Sequence, residues 1–192
     1  MNGIVPVPHD ASDLPAVVER ARALLSDGDV IAARLIAGAA YEMAGAQVRV
    51  AERVRAGAAL IEKARRLQGD ALLIEARASI RLATDWDAAQ AAGLASTGGR
   101  PKAETVSGEN VFTAEEAGLT RKEIHEARKL AEAERREPGI AERAIQARIA
   151  AGLNPSRASL RHAIGTRSAT KEERGDNLYE TPAEAMATLL AV

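Results

Sequence analysis

Apolar residues recur at helical spacing along most of the chain. Leu14, Val17, Val18, Ala21, Leu24 and Leu25 fall on one face of a helix predicted from Asp13 to about Ser26. Ser26-Asp27-Gly28-Asp29 reads as a turn. A second helix is predicted from about Val30 to Ala44, with Ile31, Leu35, Ala39 and Met43, spaced four apart, as its apolar stripe. A longer helical pattern runs from about Ala46 to Ala92. Within it Leu60, Leu67 and Ile74 are seven apart, with Ala64, Ala71 and Ala78 four residues beyond each, a short heptad-like seam. Gly69 and Asp70 interrupt that seam and predict a kink, or a helix restarted with Asp70 as its cap. Such a seam serves either intramolecular packing or a homodimer formed through the helical arm, and the pattern leaves both open.

Residues 1–12 contain Pro6 and Pro8 and no periodicity, and read as a disordered arm. The stretch 93–111 is rich in Gly, Ser and Thr and reads as a flexible linker and a domain boundary. Helical patterning resumes at 113 and continues in short pieces to about 166. Residues 167–192 read as a flexible tail ending in a short helix. No strand pattern is found. The expected fold is all-α: an elongated N-terminal helical hairpin or coiled-coil arm over 13–92, then a small helix-turn-helix-like domain over 112–166.

The stretch TAEEAGLTRKEIHEARKL, residues 113–130, carries the most specific pattern. Thr113 with Glu116, and Thr120 with Glu123, are both T-x-x-E capping boxes. Two helix starts so close force a short first helix and a sharp turn, and Gly118 sits at the reversal, where positive φ is tolerated. Ala114, Gly118 and Ile124 stand at the spacing of a helix-turn-helix. The second helix should bury Ile124, Ala127 and Leu130 or Ala131. Its outer face should carry Lys122, His125, Glu126 and Lys129, with Arg121 and Arg128 flanking, and Arg121, Lys122 and His125 stand where a recognition helix would meet base edges and phosphates. The competing reading is a packed hairpin with a solvated face, because Glu123, Glu126, Glu132 and Glu134 dilute the positive charge.

Charge distribution sharpens this picture more than total charge does. The 192-residue chain has a net charge of −1, yet Arg143 to Lys171 contains no acidic residue and includes Arg143, Arg148, Arg157, Arg161, Arg167 and Lys171. Such asymmetry is the footprint of a phosphate-binding surface, with Arg157 and Arg161 as candidate contacts. The alternative is that these arginines pair with acidic faces of the first domain. Within this segment Ile140, Ala144, Ile145, Ile149 and Leu153 should point inward, and Asn154-Pro155 should end one helix and begin the next. Gly98-Gly99-Arg100-Pro101-Lys102 resembles the core of a minor-groove AT-hook, which makes Arg100 a candidate contact, although the sequence also suits a plain linker.

Other chemistry finds little support. Aromatic residues make up 2% of the chain and much of the apolar content is Ala, so the core should be thin. There is no cysteine, hence neither a disulfide nor a thiolate metal site. His9, His125 and His162 are scattered, and His125-Glu126 is not part of H-E-x-x-H. No P-loop or dinucleotide-binding glycine motif occurs. No signal peptide or membrane span is recognised, so a cytoplasmic protein without enzymatic activity, cofactor or metal is expected.

The segment LTRKEIHEARKLAEAERREPGI, 119–140, resembles a segment of proteobacterial phage and prophage proteins. In these a helical arm, a GGRPK-type linker and an S/T-R-K-x-x-H-E-A-R helix occur in that order. DALLIEARASIRLATDWDAAQAAG, 70–93, is similar to the end of the same arm. The tail RGDNLYETPAEAMATLLAV, 174–192, resembles the lead-in to a phage-type DNA methyltransferase domain, matching Tyr179, Glu180, Thr181, Pro182, Glu184 and Ala185. The S-adenosylmethionine loop and the D/N-P-P-Y/F motif of that family do not follow. The resemblance therefore implies an accessory DNA-targeting region or the remnant of a truncated gene, rather than a working methyltransferase. The expected function is binding of double-stranded DNA by the helix starting at Thr120. The alternatives are a structural or protein-interaction role for the long helices, and a methyltransferase fragment.

Overall fold

The computed structural model describes residues 13–95 and 120–167, with side chains to 165. These form helices α1 (Leu14–Asp27), α2 (Val30–Arg53), α3 (Ala58–Ala91), α4 (Arg121–Arg136), α5 (Ile140–Ala150) and α6 (Arg157–Arg167), with no strand among the described residues. The fold is all-α.

Local chemistry explains most of the boundaries. Pro15 sits in the first turn of α1, where its missing N–H costs nothing. Gly28 ends α1 at φ 91°, a conformation that a side chain would strain. The Asp29 carboxylate then accepts from the Ala32 N–H at 3.2 Å and caps α2. The pattern predicted from Ala46 to Ala92 is divided: α2 runs on to Arg53, and α3 begins at Ala58. Arg55 at φ 54° makes the reversal between them and Gly57 caps α3.

The buried side of α2 also differs from the predicted stripe. Ala33, Ala37, Ala40, Ala44 and Val48 are buried, whereas Leu35 is 62% exposed and Ile31 39%. Small side chains face α1 and α3, which brings the helix axes close at the expense of area buried per residue. Leu60, the first position of the heptad-like seam, is exposed too, while Ala64, Ala71, Ile74 and Ala78 are buried.

α3 passes unbroken through Gly69 and Asp70, and Asp70 caps nothing. The glycine is there for packing. A Cβ at residue 69 would lie 2.8 Å from Ile149 Cδ1 and 2.9 Å from Ile145 Cγ2, so Gly69 lets α5 press against the α3 backbone. Asp70 lies near this crossing. Partial burial pushes its carboxyl above the usual range; Arg22 opposes this, Glu19 and Glu142 reinforce it, and Arg66 opposes it.

Four apolar clusters hold the helices together, and each includes α3 residues. Ala71 and Ile74 pack with Leu14, Val18 and Ala40. Leu82 and Trp86 join Val30 and Ile124. Ala76 meets Leu130, Ala141 and Leu160. Leu72 meets Ile145 and Ile149. α4 and α5 pack against α3, and α6 reaches it through Leu160 beside Ala76 and through Arg157 on Glu75. Leu153, expected inward, is 47% exposed; Gly152 (φ 68°) ends α5, and Pro155 is buried in its place. Among the described residues no helix is long and apolar enough to cross a membrane.

Candidate functional site

The local structure that builds the candidate site begins at Thr120. Its hydroxyl accepts from the Glu123 N–H at 3.2 Å, and the Glu123 carboxylate accepts from the Thr120 N–H at 2.7 Å, closing the capping box. Glu123 also accepts from the Thr120 hydroxyl at 2.7 Å and pairs with Arg34 of α2. Burial alone would raise the Glu123 carboxyl. The hydrogen bonds from the Thr120 backbone and hydroxyl, together with the Arg34 guanidinium, hold it below the usual carboxylate range. One side chain therefore starts α4 and ties it to the N-terminal helices.

α4 is strongly two-faced. Ile124, Ala127 and Leu130 are buried, as the spacing requires, and Ala131 is only half-buried. Arg121, Lys122, His125 and Lys129 are exposed on the outer side. Thr113, Glu116, Ala114 and Gly118, which define the first half of the helix-turn-helix pattern, lie outside the described residues, as do Arg100 and the 174–192 tail.

The far end of α4 is also tied down. Glu134 accepts from the Gly139 N–H at 2.7 Å and from the Ala141 N–H at 3.0 Å, so a carboxylate on α4 caps α5. Gly139 takes φ 79° at that junction. This fixes the α4–α5 angle and with it the bed on which α6 lies.

The remaining candidates are engaged by the protein itself. Arg128 donates through Nε to Asp87 Oδ1 at 2.9 Å and through Nη2 to Gln90 at 3.1 Å. Arg157 makes the most extensive contacts. Its Nε and Nη2 each lie 2.9 Å from a Glu75 oxygen, its Nη1 lies 2.7 Å from Glu42, and its guanidinium stands 4.3 Å from the Tyr41 ring centre. Burial opposes its charge, but Glu75 and then Glu42 more than offset this and raise its pKa above the usual arginine value. Arg161 Nη1 lies 3.2 Å from Glu126 Oε1. Arg143 pairs with Glu137 at 2.6 Å, and Arg148 donates to the Asn154 carbonyl at 3.3 Å. Within the run from Arg143 to Arg161, Arg157 pairs with carboxylates on α2 and α3, Arg161 with one on α4 and Arg143 with Glu137, while Arg148 donates to a backbone carbonyl.

Glu75, Glu42 and Arg34 carry this arrangement and had no signal in the sequence. Each belongs to a face that reads as solvated, and the contacts cross separations of 82, 115 and 89 residues.

What remains open is a groove between α4 and α6. Lys122, His125, Lys129, Arg136 and Arg161 line it, and its volume is about 420 Å³. Glu126 and Glu132 line it as well, tied to Arg161 and Arg136. Among the described residues Lys122 and Lys129 have no carboxylate partner, so the groove keeps a positive balance. No group of three or more His, Cys, Asp or Glu residues placed to hold a metal occurs among the described residues. Comparison with protein-family models, with curated proteins and with solved structures finds no match to this chain.

Proposed function

We propose that the chain binds double-stranded DNA through the outer face of α4 and the groove that α4 forms with α6. The observation that carries this reading is the side-by-side exposure of Arg121, Lys122, His125 and Lys129 on a helix whose first turn is rigidly capped. Exposed cations on a pre-ordered helix meet phosphates without first giving up protein partners, and the early turns of such a helix fit the major groove. The resemblance of 119–140 to phage and prophage segments points to the same partner. Arg128, Arg157 and Arg161 take a different part. Arg128 and Arg157 hold α4 and α6 in place through Asp87 and Glu75, and Arg161 makes a half-exposed pair with Glu126.

The test is fluorescence anisotropy of a labelled duplex at several salt concentrations. Binding should weaken with salt, by roughly one power of salt concentration per phosphate contacted. Arg121→Ala/Lys122→Ala should lower affinity and flatten that slope. An absence of binding at low salt overturns the reading.

A second reading, association with another protein or copy through the long helices, is favoured by one feature. Val50, Val54 and Leu60 are each more than half exposed and flank the α2–α3 turn, where they line an apolar groove of about 700 Å³. Light scattering over a range of concentrations, with Val54→Lys and Leu60→Glu beside the unaltered chain, tests that reading directly.

A further inference from the structure

A second cleft opens on the other side of the α4–α6 pair, between these helices and α2 and α3. Its volume is about 550 Å³, within the roughly 300–1,000 Å³ of small-molecule sites. The floor is apolar: Leu72 and Ala76 from α3, Leu130 from α4 and Leu160 from α6. Gly38 of α2 forms part of the wall, and its missing side chain keeps the cleft wide above Arg157 and Glu75.

Three arginines stand at its rim, each with a carboxylate from another helix, and they are not held equally. Arg34 is mostly buried and grips Glu123, which the capping box fixes from its other side. Arg157 forks onto Glu75 and reaches Glu42 as well. Arg161 is different. A single nitrogen, Nη1, lies 3.2 and 3.3 Å from the two oxygens of Glu126, and the side chain is about half exposed. Such a pair is worth little in water. Glu126 also has Lys122 and Lys129 at i−4 and i+3 on α4, so a carboxylate displaced from Arg161 has cations within reach.

We propose that this cleft binds a small apolar monocarboxylate. The hydrocarbon or aryl body lies on the Leu72–Leu130–Leu160 floor, and the carboxylate takes the place of Glu126 on Arg161. One loosely held cation matches one negative charge. A dianion would require release of Glu75 or Glu123, and both are tied by several bonds. A cation would meet carboxylates that are already paired. The site does not depend on the DNA-binding reading.

The experiment is isothermal titration calorimetry of the full chain with octanoate, octan-1-ol and octylammonium. Octanoate should bind saturably, one per chain, and the other two about tenfold more weakly or worse. Arg161→Gln should lower octanoate affinity about tenfold and leave the weak octan-1-ol signal unchanged. Leu35→Glu, at an exposed position on the rim, should lower octanoate affinity by repulsion. Unchanged helical circular dichroism shows that both variants fold. Saturable octanoate binding that weakens in both variants, about tenfold in Arg161→Gln, supports the proposal. No saturable binding, equal binding of octan-1-ol, or full affinity in Arg161→Gln overturns it.

Discussion

Arg157 closes a two-pronged ion pair on Glu75, with Nε 2.9 Å from one carboxylate oxygen and Nη2 2.9 Å from the other. The pair joins α6 to α3, and Glu75 is largely shielded from water. Arg157→Ala should therefore act on stability. A loss of about 2 kcal/mol is expected, seen as a melting temperature lower by about 6 °C. Arg157→Lys should recover only part of it, because an ammonium cannot match the fork. If α4 is the DNA-contacting element, duplex affinity of folded Arg157→Ala should change far less than that of Arg121→Ala/Lys122→Ala. The reverse order, measured by anisotropy, would move the contact surface to α6.

The Thr120–Glu123 box gives a pH dependence with a definite sign. The Glu123 carboxyl is held below its ordinary value in the folded chain. Its contribution is present above the unfolded value of about 4.5 and is lost as pH falls through the lower folded value. Thr120→Ala should cost about 1 kcal/mol at pH 7, and urea melts should show that cost shrinking on acidification below the ordinary carboxylate range.

Asp70 should behave in the opposite sense. Its carboxyl is raised by burial, so the charged form is disfavoured by folding, and stability is lost as pH rises through the folded value. Asp70→Asn should stabilise the chain at pH 7. The gain should vanish near pH 3, where the native carboxyl is protonated in both states. An equal gain at both pH values would show that charge is not the cause.

Gly69 sits where α3 and α5 touch, with positions for a Cβ below 3 Å from both Ile145 and Ile149. Gly69→Ala gains roughly 1 kcal/mol of helix propensity but overpacks the contact by about 1–3 kcal/mol. Net destabilisation by about 1 kcal/mol is expected, and about 3 kcal/mol for the bulkier Gly69→Val. Chemical denaturation of the two variants decides whether the crossing is as tight as the distances state.

On α2 the alanines, rather than its one leucine, Leu35, make the seam. Ala40→Leu should cost about 1–3 kcal/mol through overpacking, while Leu35→Ala should stay within about 0.5 kcal/mol. Thermal melts of both variants distinguish the two faces of the helix.

The sequence was legible where a short-range rule governs. The first helix came within a residue of its ends, and the Thr120 box and the Ile124–Ala127–Leu130 face appear as the spacing requires. Hydrophobicity misled on α2, because Leu35 outranks Ala37 on any scale of apolarity while close helix contact selects the smaller side chain. The reversal at Arg55–Gly57 was hidden by continuous helical periodicity on both sides. Partnerships such as Arg157 with Glu75 and Arg34 with Glu123 join residues more than 80 positions apart. They depend on how α3 is packed, and no local pattern encodes them. The same limit applies to the candidate site. Its exposed members Arg121, Lys122, His125 and Lys129 follow from helix geometry, but which arginines the fold had already claimed did not.

The shared spine of α3 bears on what one broken peptide bond would do. The pieces before and after 96–119 meet through Trp86 with Ile124, Ala76 with Leu130 and Leu160, and Gly69 with Ile145 and Ile149. A single cut between 96 and 119 would remove the tether and leave these surfaces intact. Native structure would then be a bimolecular complex whose melting point rises with concentration. Separately expressed halves should find each other and re-form one fold, which makes this chain a natural starting point for a split reporter.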